Sequence, residues 1–199
     1  MQRVPWKGHG GTRQAALADV RTPYVLFTVD DAIVLGPGCV RRMVDTLEAT
    51  DADAVVARQV PWPDTDIVTR TRLRAWTPAA DGPVPMSQSD HVCTLYRTRV
   101  LRTFPIPDVP IAEDLAWSSG RTVVLAPDAP VLHSHRRAVR ALWSRERAIH
   151  AQRRRLGLPP TVAGLGPTLP SVLTAARYGA REVPRHAAEV LGQWWGGRG

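Results

Sequence analysis

The sequence predicts an α/β domain built on a mixed sheet, with flanking helices and a helical C-terminal tail. The chain has 199 residues, which suits one domain with a hydrophobic core. Residues 24–29 (YVLFTV) are apolar on both faces, as in a covered central strand. A helical pattern over residues 40–49 separates this strand from a second one, Ala54–Val60. The order strand, helix, strand is typical of a βαβ unit and therefore of a parallel or mixed sheet.

The other elements follow from periodicity and from the position of Pro and Gly. We predict a Gly-rich turn and then a helix over 12–20 with Thr12 as its N-cap, and a long excursion over 61–89 with one helix at 67–76. Next come a strand (HVCTLYRT), a short helix (RVLRTF), a helix opening at EDLAW and a strand (TVVLAP). A basic helix (138–156), a Pro/Gly linker (157–170) and a last helix (171–195) interrupted by Pro184 complete the chain. The predicted division is a domain over 1–156 and a tail over 157–199.

The charge balance narrows the classes of partner. The net charge is +8, with 26 basic and 18 acidic residues. Arginine forks match phosphate oxygens in pairs, so this balance favours anionic lipid surfaces or phosphate-bearing substrates, or it reflects composition alone. Nucleic acid is not expected as a partner, because basic charge is its sole support and a recognised binding module is lacking.

Cysteine usage and hydropathy indicate the compartment. Cys39 and Cys93 lie far apart without CxxC spacing, so we expect packing residues in a reducing compartment, with neither a disulfide scaffold nor a zinc cluster. The sequence has neither an apolar leader nor an apolar stretch of membrane-spanning length. A cytoplasmic protein, with the inner face of the cell membrane as a candidate peripheral location, is therefore expected.

An acidic pair, Asp30-Asp31, directly follows the first strand. Ligands of open α/β sheets lie beyond the carboxyl ends of strands, where carboxylates can hold a hard cation and, through it, a diphosphate. The alternative is a solvated turn in which one carboxylate caps the next segment.

A second acidic pair, Glu113-Asp114, opens the EDLAW helix. Acidic residues are favoured in the first turn by the helix dipole, which is the structural alternative. The functional interpretation is a general base, which requires a carboxylate near a substrate hydroxyl.

Two histidines, His133 and His135, are separated by one residue in the segment VLHSH. Alternate residues of an extended segment face the same side, so both imidazoles are candidates for one metal or phosphate site. Surface histidines without a ligand are the alternative.

The order of these motifs resembles the family 2 glycosyltransferases of the GT-A fold, and most of all their bacterial rhamnosyltransferase branch. The resemblance covers roughly residues 8–150 and rests on the combination of motifs. The matching segments are HGGTRQ with His9, Gly10, Thr12 and Arg13, the strand end Asp30, Asp31 and Ala32, RQVP from Arg58, EDLAW, and HSH.

The resemblance implies an inverting transfer of a sugar from a nucleoside diphosphate to an acceptor hydroxyl, assisted by a divalent cation, Mg²⁺ or Mn²⁺. It makes Asp31 the metal and diphosphate residue, with His135 or His133 completing that site. It makes Asp114 the candidate base, with Glu113 as its neighbour. The implied donor contacts are Thr12, Arg13, Asp30 and Arg58.

The implied partners are a nucleoside-diphosphate sugar, with dTDP-rhamnose as the candidate, and a saccharide or lipid-linked acceptor. Family members carry a further nucleotide-binding βαβ unit on the N-terminal side, so we expect an incomplete GT-A domain, with a partner chain as a candidate source of that unit. The sequence departs from the family pattern at two further points. Val29 stands where a DxD motif has its first Asp, and the segment EDLAWSSG is shorter than in family members.

These departures leave two alternatives to an active transferase. One is a non-catalytic remnant or one subunit of a split transferase, because unpaired strand edges seek a partner. The other is a peripheral binder of anionic membranes, in which the basic helix supplies charge and Trp194-Trp195 lie at the interface.

Overall fold

A computed structural model describes residues 7–135, 138–158 and 182–197. Within these ranges the strands are β1 (Tyr24–Thr28), β2 (Ile33–Val34), β3 (Ala54–Val60), β4 (Val84–Met86), β5 (Cys93–Arg97) and β6 (Val123–Leu132). The helices are α1 (Gly8–Ala16), α2 (Cys39–Thr50), α3 (Ile67–Trp76), α4 (Thr98–Thr103), α5 (Glu113–Ser118), α6 (Val139–Arg155) and α7 (Glu182–Gly197). A short 3₁₀ helix, Leu17–Asp19, continues α1.

The chain divides into two compact units. The first consists of Met1–Trp62 and Leu73–Ser134, and the second of Pro63–Arg72 and His135–Gly199. The division expected between residues 156 and 157 stays a prediction. Most of the predicted linker, from residue 159, and residues 171–181 of the last predicted helix lie outside the described ranges.

The first unit is built on one mixed sheet with the strand order β1-β5-β3-β6, and β2 and β4 both pair with β6. Strand β5 is antiparallel to β1 and to β3, while β3 and β6 are parallel. Strands β1 and β3 therefore run in the same direction, as their βαβ order predicts, but β5 lies between them. The prediction of a covered central position for β1 is wrong: β1 lies at one end of the strand order, and its residues are half-buried or exposed. The α/β class and the mixed sheet are confirmed.

The hydrophobic core lies on both faces of β3, because alternate residues of a strand point to opposite sides. Val55 and Ala57 belong to a cluster with Met43 and Leu47 of α2. Ala54 and Val56 face the other cluster, which includes residues of the 3₁₀ helix, α4 and α5. The β3 side chains from Ala54 to Ala57 are at most 1% exposed, which explains their uninterrupted apolar run.

The two cysteines lie in this core. Cys39 and Cys93 are both buried free thiols, as expected of packing residues. Burial raises the pKa of Cys93 to about 12, so this thiol stays protonated at neutral pH.

The N-terminal segment differs from its prediction. Residues 8–11 are helical rather than a turn, so Thr12 lies inside α1 and is not its N-cap. The Thr12 hydroxyl accepts a hydrogen bond from the Lys7 backbone N–H instead (2.8 Å). Tertiary packing favours the glycines here, since a Cβ on Gly10 would lie 2.6 Å from the carbonyl oxygen of Pro107.

In the second unit α6 packs against α7 at short range. A Cβ on Gly192 would lie 2.7 Å from the Trp143 carbonyl oxygen, so this approach requires glycine. Pro184 lies in the first turn of α7, where its missing N–H removes no intrahelical hydrogen bond. None of the helices in the described ranges is both long and apolar enough to cross a membrane.

Candidate functional site

The carboxylate of Asp31 and the imidazole of His133 meet at one end of the sheet. The β2–β6 ladder pairs Ile33 with Leu132, which places the turn before β2 beside the residue after β6. The Asp31 Oδ1 to His133 Nε2 distance is 3.6 Å. The Asp31 side chain is 50% exposed and that of His133 is 5% exposed, so the pair combines a solvent-facing oxygen with a buried nitrogen.

Strand β3 holds the other side of the His133 ring. The backbone N–H of His133 donates to the carbonyl of Val60 (2.9 Å), which extends the parallel pairing of β3 and β6 by one residue. Gln59 thereby lies beside the ring, and its Oε1 is 2.9 Å from His133 Nδ1.

Asp90, between β4 and β5, completes a buried polar network with Gln59. Its Oδ2 accepts hydrogen bonds from Gln59 Nε2 (2.7 Å) and Trp76 Nε1 (3.2 Å), and its Oδ1 accepts one from the backbone N–H of Val92 (3.2 Å). Burial of the carboxyl raises the pKa of Asp90 to about 6, against the lowering effect of these hydrogen bonds, and the charge of Asp114 raises it further.

Glu113 lies at the centre of a second cluster. Its Oε1 accepts a hydrogen bond from Arg13 Nη1 (2.8 Å) and lies 3.1 Å from His91 Nδ1. All three side chains are at most 15% exposed. The cluster joins α1 to α5, and Gly10 lies at this close approach, since a Cβ on Gly10 would lie 3.4 Å from the Cβ of Glu113.

The hydrogen bonds and charges around Glu113 affect its pKa more than its burial does. Burial would raise the pKa of this carboxyl, but the His91 hydrogen bond, the backbone N–H at the start of α5 and the Arg13 charge lower it to about 2. Glu113 is therefore ionised at neutral pH and is a weak proton acceptor.

Asp114 is the more exposed member of this acidic pair. Its Oδ1 accepts a hydrogen bond from the Leu115 backbone N–H (2.8 Å), and its carbonyl oxygen accepts one from the Ser118 hydroxyl (2.6 Å). The preceding residue, Ala112, has φ 58°, a left-handed conformation that costs a non-glycine residue about 1 kcal/mol. The turn into α5 therefore depends on the surrounding structure to hold this conformation.

The structure connects the two clusters through one loop. Ser89 Oγ lies 3.4 Å from the carbonyl oxygen of Asp114 and 2.9 Å from the Ser118 hydroxyl. The next residue, Asp90, bonds Gln59 and so reaches His133. Within the first unit, the Ser89-Asp90 loop therefore contacts both the backbone at Asp114 and the Gln59–His133 pair.

The remaining predicted residues occupy varied positions. Asp30 is exposed in the turn after β1. Arg58 donates from Nε to the Pro127 carbonyl (2.7 Å), where the β3–β6 register shifts. His135 belongs to the second unit, where it lines a small pocket with Asp66, Arg185 and other residues of that unit.

The sequence interpretation missed three residues of this region: Gln59, Asp90 and His91. Gln59 stands inside the quoted RQVP segment, where Arg58 was singled out instead. Asp90 and His91 are adjacent polar residues at the start of the predicted strand HVCTLYRT, which was the available signal. Their roles depend on long-range pairing that periodicity does not encode.

Comparison with known proteins gives the fold. No protein-family model matches the chain, and no curated protein matches it. A mannosyltransferase from Pyrobaculum calidifontis, solved in complex with GDP-Man and Mn²⁺, is similar in structure with a TM-score of 0.56 at 15% identity, over 95% of this chain and 55% of that one. S. aureus TarS (residues 1–349) aligns with a TM-score of 0.48 at 13% identity, over 73% and 44% of the two chains.

The chain spans about half the length of these solved structures. The likeness to the mannosyltransferase is one of fold, since the identity is low. With its mixed sheet, flanking helices and C-terminal helix, the chain has the fold of the GT-A glycosyltransferases.

Proposed function

We propose that this chain is a glycosyltransferase, or the catalytic part of one, that transfers a sugar from a nucleoside-diphosphate donor to an acceptor hydroxyl. The approach of Asp31 and His133 at the end of the sheet carries this proposal, because a carboxylate and an imidazole 3.6 Å apart form a cation site where α/β folds bind ligands. The GT-A fold supports the reaction class.

The cation of this proposal would be held by Asp31 and His133 of the first unit, and the motif resemblance makes His135 the candidate for a third ligand. A cation about 2.1 Å from each of two ligands holds them about 3 to 3.5 Å apart, close to the observed 3.6 Å between Asp31 and His133. His135 follows His133 by two residues on the same non-helical segment. A donor set of carboxylate oxygen with imidazole nitrogen suits Mn²⁺ better than Mg²⁺, which prefers oxygen alone.

The exposure of Asp31 fits a site that shares its cation with a substrate. When bound, the cation would neutralise the diphosphate and so make it a better leaving group. By holding the cation, Asp31 and His133 would orient the phosphates. Arg13 is already paired with Glu113 at 2.8 Å, so its charge is largely balanced within the protein. Thr12, Asp30 and Arg58 remain proposed contacts to the donor.

Asp114 is the proposed general base. It takes the proton of the acceptor hydroxyl while that oxygen forms a bond to the anomeric carbon and the bond from this carbon to the diphosphate oxygen breaks. Attack opposite the leaving group inverts the anomeric centre. Glu113, whose pKa is lowered to about 2, acts instead as the fixed anion that holds Arg13 and α1 against α5.

The donor sugar and the acceptor are the finer part of the proposal. Rhamnose from dTDP-rhamnose, with a saccharide or lipid-linked acceptor of the cell envelope, follows from the motif resemblance stated above. A partner chain that supplies a nucleotide-binding unit is the corresponding proposal for a split transferase.

The test is binding and turnover with matched variants. Mn²⁺ with dTDP-rhamnose, a UDP-sugar or a GDP-sugar should raise the melting temperature of the wild-type chain, and nucleotide release should depend on the metal. Asp31→Asn should abolish both effects, whereas Asp114→Asn should keep the stabilisation and lose turnover. Asp81→Asn, at an exposed loop carboxylate, is the control.

Stabilisation by metal and donor without turnover, in the wild-type chain with acceptor present, would favour the non-catalytic or split alternative. Absence of both would contradict the proposal.

A membrane-surface function is the second candidate, and one observation favours it. Leu191 and Trp195 are 44% and 57% exposed and lie four residues apart, on one side of α7. An exposed aliphatic and indole pair of this kind suits the interfacial region of a membrane. Flotation with anionic and with neutral vesicles tests it.

A further inference from the structure

We propose that Gln59 and Asp90 are positioning residues that hold His133 as the Nδ1–H tautomer, so that its Nε2 carries the lone pair that faces Asp31. This inference rests on the proposed cation site, and it assigns the task of preparing that site to two residues to which the motif resemblance gave no role. The connection is a chain of three side chains, Asp90, Gln59 and His133, with separations of 2.7 and 2.9 Å.

The orientation of the Gln59 amide is the first step. An ionised carboxylate has acceptors and no donors, so Asp90 Oδ2 selects the NH₂ group of Gln59 as its neighbour. Trp76 Nε1, which is a donor only, shares the same oxygen at 3.2 Å and confirms it as an acceptor. The opposite amide orientation would put the Gln59 carbonyl oxygen against a carboxylate oxygen and leave this contact without a donor.

The tautomer of His133 is the second step. With its NH₂ group on Asp90, Gln59 presents Oε1 to the ring, and a carbonyl oxygen accepts only. His133 Nδ1 must then be the protonated nitrogen of the neutral ring, and Nε2 the unprotonated one. Nε2 is the atom that lies 3.6 Å from Asp31 Oδ1, so a cation there meets a lone pair and not an N–H.

The position of Gln59 is itself fixed by the backbone. Its N–H donates to the Thr77 hydroxyl (3.2 Å), and the same hydroxyl lies 3.3 Å from the Gln59 carbonyl oxygen. The residue is 7% exposed and lies on β3, which pairs it with Val131 of β6. The buried Gln59 side chain therefore has little room to change its hydrogen-bond partners.

The decisive measurement is the protonation pattern of His133 in the metal-free full chain, read from two-bond ¹⁵N–¹H correlations of ¹⁵N-histidine-labelled protein above pH 8. We expect the Nδ1–H tautomer in the wild-type protein. Gln59→Leu should convert His133 to the Nε2–H form or to a mixture. Asp90→Asn keeps the size of the side chain but offers both a donor and an acceptor, so the Gln59 amide can adopt either orientation. This variant should therefore also produce a mixture of the two His133 tautomers.

The second readout is the Mn²⁺ affinity, followed by electron paramagnetic resonance. Loss of a residue that orients a ligand costs about 10- to 100-fold in metal affinity, and we expect this for Gln59→Leu and a smaller loss for Asp90→Asn. Gln152→Leu removes another buried glutamine side chain, one in α6 that is 5% exposed, and should leave both readouts at wild-type values. Far-UV circular dichroism confirms that each variant is folded.

The inference is overturned if His133 is the Nε2–H tautomer in the wild-type protein, or if both variants keep the wild-type tautomer. The proposed function fails on a different result. If His133 is the Nδ1–H form in the wild-type protein and not in the two variants, the hydrogen-bond assignment is supported. If the wild-type protein nevertheless binds no Mn²⁺, the cation site is removed.

Discussion

Replacing Glu113 by Gln removes the charge at the centre of the cluster that joins α1 to α5. The carboxylate contacts Arg13 and His91 at 2.8 and 3.1 Å and is 9% exposed, so solvent screens these interactions little. A pKa lowered from 4.5 to about 2 corresponds to about 3 kcal/mol of stabilisation of the folded state. Glu113→Gln should therefore lower the free energy of unfolding by up to about 3 kcal/mol at pH 7.

The stabilisation of the folded state by Glu113 should decrease as the pH falls. Because the folded-state pKa is below the unfolded one, the stabilisation is complete above pH 4.5 and is lost as the pH falls towards 2. The difference between the wild-type protein and Glu113→Gln should shrink over this interval and approach zero near pH 2. Urea unfolding followed by the fluorescence of the seven tryptophans measures it at each pH.

The control is Asp81→Asn, which removes an exposed carboxylate and should change the stability by less than about 0.5 kcal/mol. A difference for Glu113→Gln that stays constant from pH 7 to pH 2.5 would refute the reasoning, since a neutral role such as packing has no pH dependence. A difference below about 0.5 kcal/mol at pH 7 would refute it as well.

Three further changes test the packing and the surfaces. Gly10→Ala should destabilise the protein by about 1 to 2 kcal/mol, because the new Cβ meets the Pro107 carbonyl oxygen at 2.6 Å. Gly82→Ala, whose Cβ would lie in open space, is the control and should not destabilise it. Equal stabilities of the two variants would contradict the close approach of α1. Gly192→Ala should lower the thermal stability of the α6–α7 pair despite the better helix propensity of Ala, and a higher melting temperature would show that these helices lie further apart. Trp195→Ala should reduce flotation with anionic vesicles at low salt, and unchanged flotation would remove this indole from the membrane contact.

Local sequence signals predicted the elements with strong periodicity. Ala54–Val60 and Ile67–Trp76 begin and end where their patterns predict, because a buried apolar run and a helical run are both encoded by consecutive residues. Strands β2 and β4 were not predicted: they have two and three residues, and β4 contains Pro85. Such strands exist through their pairing with β6.

The candidate site was partly accessible from the sequence. The motif order singled out Asp31 and His133, whose side chains lie 3.6 Å apart, and Asp114, whose role as the base stays a prediction. The different roles of Glu113 and Asp114 were not accessible, because they depend on Arg13 and His91, 100 and 22 residues away along the chain. Gln59 was overlooked for the same reason: an uncharged residue acquires its role from the partners that the fold brings to it.

The most direct test of a cation site formed by Asp31 and His133 is anomalous diffraction from crystals grown with Mn²⁺ and a nucleoside diphosphate. We predict a manganese peak bonded to a carboxylate oxygen of Asp31 and to Nε2 of His133, with the diphosphate on its open side. A bound diphosphate whose manganese lies elsewhere, or His133 turned so that Nδ1 is the metal ligand, would contradict the account.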